Sequence, residues 1–144
     1  MPVLSHQGLL AIAVVVDVAL QKDGQPIAAK ILAARHSLPP RHLELVLRSL
    51  VRGGILNSVR GPHGGYKLAR ERHSMTIQDI LRAASGAYQA GEEPNSELVA
   101  KVVLPFLSVA EQKFEQALSR ISLDDMVQRA LLNGHENGEP RSDL

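Results

Sequence analysis

The chain has 144 residues, 44% hydrophobic but only 3% aromatic, which suits one domain with an appended element and a core of Leu, Val, Ile and Ala. Its net charge of +1 conceals a split: residues 1–90 carry 11 Lys/Arg against 5 Asp/Glu, whereas residues 91–144 carry 5 against 10, so the first part suits a polyanionic partner. The absence of cysteine excludes disulfides, thiolate zinc sites and cysteine-ligated iron–sulfur clusters.

Ser5 can cap a first helix running to about Leu20. Its apolar run, Leu9–Val16 and onward to Leu20, is shorter than the ~20 residues of a spanning helix, contains Asp17 and follows no Lys or Arg. A buried helix is favoured over a membrane segment, a signal peptide or a buried strand, and the protein is expected in the cytoplasm. Lys22-Asp23-Gly24-Gln25-Pro26 is a turn, and Ala28–Arg35 a short helix anchored by Ile27, Ile31 and Leu32. His36-Ser37-Leu38-Pro39 ends it, Pro40 stands near the first turn of the next helix, and Gly53-Gly54 closes that one.

On a wheel at about 100° per residue with Arg41 at zero, Leu45, Arg48 and Arg52 fall within about 40° of it and Glu44 about 60° away. Leu43, Val46, Leu47 and Leu50 fall on the other side, so Pro40–Arg52 has a core face and an opposite face of three arginines and one glutamate. Arginine can pair with guanine or phosphate and glutamate with cytosine, although a solvated face with an Arg41–Glu44 pair would read the same way alone. The adjoining segment decides between them. Ser58-Val59-Arg60-Gly61-Pro62-His63-Gly64-Gly65-Tyr66-Lys67-Leu68 reads as a basic β-hairpin with a glycine-proline tip, the three glycines allowing positive φ and close approach. A basic helix followed by such a hairpin is the layout of a winged helix-turn-helix, so DNA is the expected partner.

Thr76–Asp79 has capping-box spacing and starts a helix to about Ser85. Gly86–Asn95 reads as linker. From Val99 the apolar positions Val99, Val103, Phe106, Ala110, Phe114, Ala117 and Ile121 step by three and four, a seam for a dimer partner, with Pro105 demanding a kink or a helix start. A short helix at Leu123–Leu132 and a polar, disordered tail complete the chain. The fold class is mainly α with a small hairpin wing. It divides into a winged helix-turn-helix at 1–86, a linker at 87–96, dimerisation helices at 97–132 and the tail at 133–144.

The six histidines show no metal-ligand spacing, the glycine cluster lacks the Lys-Ser/Thr of a phosphate loop, and no nucleophile–base set is visible, so neither a metal, a cofactor nor an enzyme is expected.

These residues resemble the Rrf2 family of bacterial winged-helix regulators. The resemblance rests on Asp17-Val18-Ala19-Leu20, Leu38-Pro39-Pro40-Arg41-His42-Leu43-Glu44, the hairpin through Ala69, Thr76-Ile77-Gln78-Asp79-Ile80 and Ile121-Ser122-Leu123. It implies a homodimer that represses or activates transcription from a partly palindromic operator, with repression the expected direction and the long helices crossing. It also implies Arg41, His42 and Glu44 at the major groove, and a wing of Arg60, Gly61, Pro62, His63, Gly64 and Gly65 near the minor groove and phosphates. With Arg48, Arg52, Ser58 and Tyr66 added from the helix face and the hairpin, these form the candidate DNA-binding set. Cluster-binding members carry three cysteines between the fourth helix and the dimerisation helix, where this chain (Ala87–Leu104) has none, so that chemistry does not transfer. His42 replaces the more usual Tyr before Leu-Glu. A small-molecule or protein effector stays open, and the competing reading is a protein-interaction regulator docked to a metabolic enzyme, with DNA binding secondary.

Overall fold

The computed structural model describes residues 5–85 and 96–135; the expected linker at 87–96 and tail at 133–144 lie largely outside these residues. Helix α1, His6–Ala19, starts where the Ser5 hydroxyl accepts the Gly8 N–H at 2.9 Å. Its valines do not prevent a helix because Val14, Val15 and Val18 are buried, and tertiary packing overrides their propensity. After a short turn at Lys22–Gly24 come α2, Ala29–Arg35, and α3, Pro40–Arg52, joined through Ser37 at φ 51°.

Strands β1, Leu56–Val59, and β2, Gly65–Leu68, pair antiparallel with Ser58 opposite Tyr66 and Val59 opposite Gly65. The hairpin is not free at its root. Ile27 donates to the Tyr66 carbonyl at 3.0 Å and accepts from the Tyr66 N–H at 2.9 Å, which ties β2 to the segment before α2. Helix α4, Ile77–Ser85, begins with the reciprocal Thr76–Asp79 bonds expected of its spacing, at 3.0 and 3.1 Å. Ser122 and Asp125 repeat that device at the start of α6, Leu123–Leu132.

Between them lies the long helix, whose α-helical part, α5, is Leu104–Leu118. Pro105 stands in the first turn of α5, as a helix start there requires, yet the helical path continues through it from the preceding turn. A π-helical turn at Val99–Val103 leads straight into α5, and the Leu104 N–H donates five residues back to the Val99 carbonyl. The widened turn accommodates the residue that lacks an N–H and whose ring crowds the preceding turn.

One core runs through the molecule: Leu32, Leu43, Leu47, Leu50, Ile55 and Leu56 from the first part join Met75, Ile80 and then Leu118, Leu123 and Val127 from the last. The chain folds back to deliver them, with Ile77 donating to Ile121 at 2.9 Å and Leu123 to Met75 at 2.8 Å. An Arg72–Asp124 ion pair at 2.7 Å reinforces the return. Leu118, Leu123 and Val127 thus share the core of the first part, and α6 packs against α1.

Candidate nucleic-acid interface

Helix α3 owes its orientation to what it buries. Leu43, Val46, Leu47 and Leu50 are sunk in the core, and the Ser49 hydroxyl donates to the Ala83 carbonyl of α4. Arg41, His42, Glu44, Leu45, Arg48 and Arg52 are left exposed. Pro40 at the first turn presets φ and leaves no N–H to satisfy. Arg41 does not pair with Glu44, and among the described residues Arg41, Arg48, Arg52 and Arg60 form no ion pair with a carboxylate. Their charge is thus directed to solvent.

A second anchor for α3 comes from residues that sequence reasoning did not join. Asp17, 1% exposed, accepts Arg35 Nη1 at 2.8 Å on Oδ1 and faces His36 Nε2 at 2.9 Å on Oδ2. Gln21 Nε2 adds a bond at 3.2 Å to the Asp17 carbonyl. A buried carboxylate persists only when paired in this way. The cluster pins α1 to the turn between α2 and α3, including Ser37 in its left-handed conformation, and so fixes the start of the exposed helix. The available signal was Asp17 itself, a single charge inside an apolar run, which requires a buried partner.

The hairpin divides by depth. Ser58, Arg60, Gly61, Pro62 and His63 are exposed, whereas Gly64, Gly65 and Tyr66 are half-buried, with Tyr66 packed on the core. Positive φ occurs at Gly61 (114°) and Gly65 (146°) but not at Gly64. A Cβ at Gly64 would collide with the Val59 carbonyl, and one at Gly65 with the Ile27 carbonyl. The close approach expected of these glycines is thus made within the protein at Gly64 and Gly65, and of the three only Gly64 does not use positive φ.

The dimerisation residues also divide. Val103, Phe106, Ala110 and Ala117 are exposed and Val99 is half-buried, but Phe114 and Ile121 pack against the protein's own core. The exposed apolar surface is instead concentrated at the start of the long helix, where Leu98, Val102, Leu104, Leu107 and Val109 join Val103 and Phe106. Leu104, Val109, Phe106 and Leu107 point about 0°, 140°, 200° and 300° around the axis, nearly encircling it. A helix apolar on all sides is normally enclosed by protein.

No donor set for iron is evident. The chain has no cysteine, and among the described residues no group of three or more His, Cys, Asp or Glu side chains converges. The residues present do not fit a cluster of the cysteine-ligated kind. Among the described residues no helix is long and apolar enough to cross a membrane.

Comparison with known proteins gives these features a common context. Residues 4–129 match the family model Rrf2, described as an iron-dependent transcriptional regulator. An HTH-type transcriptional regulator of Synechocystis is 34% identical over 125 residues, covering 85% of this chain and 83% of the relative. IscR of Vibrio campbellii is 31% identical over 87 residues, 60% of this chain but only 52% of that protein, so the matched segment spans about half the length of this relative. Among solved structures, T. potens IscR superposes with a TM-score of 0.70 at 28% identity, covering 88% of this chain and 87% of that one. CymR, the global cysteine regulator of B. subtilis, does so with a TM-score of 0.67 at 25% identity, covering 88% and 96%.

Proposed function

This chain belongs to the Rrf2 family of DNA-binding helix-turn-helix transcriptional regulators, and we propose that it acts as a homodimeric repressor on a partly palindromic operator, without an iron–sulfur cluster. The observation that carries the reading is the exposed arginine face of α3 beside an exposed, cationic hairpin tip, both standing on a continuous core. Arg41, Arg48 and Arg52 supply bidentate donors for guanine edges and phosphates, and Glu44 can accept from cytosine. His42 extends this face at its start. Arg60 and His63, with the backbone of Gly61 and Pro62, form the wing that would approach the adjacent groove, and Ser58 adds a hydroxyl along it. Gly64, Gly65 and Tyr66 support the wing from behind.

The second copy is inferred from the encircling apolar surface at 98–109, which a stable protein must cover. In such a dimer Val99, Val103, Phe106, Ala110 and Ala117 would meet the partner, while Phe114 and Ile121 would hold the helix to its own domain. Two copies would present two α3 helices to successive major grooves, about 34 Å apart. Binding would then be independent of oxygen and iron chelators, because no thiolate is available to hold a cluster. An electrophoretic shift on the chain's own upstream region tests the assignment. A saturable shift that survives excess random DNA is expected; the alternative, a regulator docked to an enzyme, predicts no preference for that DNA.

A further inference from the structure

The exposed face of α3 contains one side chain that neither a phosphate nor a guanine explains. Leu45 is 52% exposed, lies one turn after Arg41 and just under one turn before Arg48, and shares their side of the helix. Isolated exposed leucines are ordinary on protein surfaces. This one is placed differently, because it interrupts an otherwise charged stripe at the centre of the surface assigned to DNA. In the major groove the only apolar group on a base edge is the thymine 5-methyl.

We propose that Leu45 is a specificity residue that packs against a thymine methyl in each half-site, an inference that rests on the DNA-binding reading of α3. Its neighbours define where that thymine lies. Side chains three and four residues apart on a helix stand about 5–6 Å from each other, and base pairs stack every ~3.4 Å. The thymine read by Leu45 is therefore within about two base pairs of the positions held by Arg41 and Arg48. The arginines set the register by charge and fork geometry, and Leu45 rejects the base that leaves its side chain facing water or a polar edge.

The test uses a duplex recovered by the full chain from a random pool, with each thymine replaced singly by uracil, which removes the methyl and nothing else. One thymine per half-site is expected to be sensitive, with binding weakened about fourfold on loss of its methyl. Leu45→Ala, which loses the contact in both half-sites, is expected to bind the all-thymine duplex about as weakly as the intact protein binds a duplex with uracil at both sensitive positions, and to be indifferent to the replacement. Because the side chain is exposed, this variant should fold like the parent, which its unfolding midpoint checks. Specific binding with every uracil tolerated would overturn the role of Leu45 and leave the regulator assignment standing. Uracil sensitivity that persists in Leu45→Ala would assign the methyl to another group. Failure to enrich any sequence from the pool would instead remove the DNA-binding reading itself.

Discussion

Two exposed surfaces of this molecule are opposites in chemistry. The face of α3 and the hairpin tip carry Arg41, Arg48, Arg52 and Arg60 without carboxylate partners among the described residues, and stand on side chains that are fully buried. The start of the long helix carries Leu98, Val102, Leu104, Phe106, Leu107 and Val109, apolar around most of its circumference. Water solvates the first surface well and the second poorly, so the first can wait for a polyanion while the second calls for protein cover. In the proposed function the difference separates two tasks, reading DNA and joining copies, and the two surfaces share one core through Leu118, Leu123 and Val127.

Breaking the apolar surface should have the largest effect. Phe106 is 82% exposed in the protomer, so Phe106→Glu should leave the protomer folded while abolishing the dimer. Losing the second binding module should weaken operator affinity about 100-fold or more, as read by sedimentation and DNA titration on one preparation. A dimer that survives this charge would place the interface elsewhere.

The charged surface depends instead on what lies under it. Asp17→Asn removes the charge that joins Arg35 and His36 to α1 and should lower stability by about 2–4 kcal/mol in urea unfolding. An unchanged midpoint would show that the cluster does not hold the turn before α3. At the surface, Arg41→Ala should cost roughly 1–3 kcal/mol on the operator with a smaller loss on random DNA and no change in the dimer. Equal losses on both DNAs would assign Arg41 to phosphate alone. The smallest effect is expected at the wing, where Arg60→Ala should reduce the slope of log affinity against log salt by about 0.9, one phosphate contact. An unaltered slope would put the hairpin tip away from the backbone.

The same contrast governs what could be read from the sequence. Helix α3 was legible to its ends, Pro40–Arg52, because an amphipathic repeat, a first-turn proline and a terminal glycine pair all agree. The hairpin was legible as a unit, but not the separate duties of its glycines: the collisions at Gly64 and Gly65 involve backbone carbonyls whose positions no local pattern specifies. The apolar seam had the right period, yet periodicity cannot say that Phe114 and Ile121 turn inward to the protein's own core while Phe106 does not. The Asp17 cluster was hidden for a similar reason, since its partners lie 18 and 19 residues away and only folding brings them together.

The most direct test of the account is selection of bound duplexes from a random pool, followed by the stoichiometry of the recovered complex. Two chains per duplex are expected on a partly palindromic sequence whose half-site centres lie one helical turn, about 10 base pairs, apart. Recovered sequences no different from the starting pool, or a single chain bound to one half-site, would contradict it.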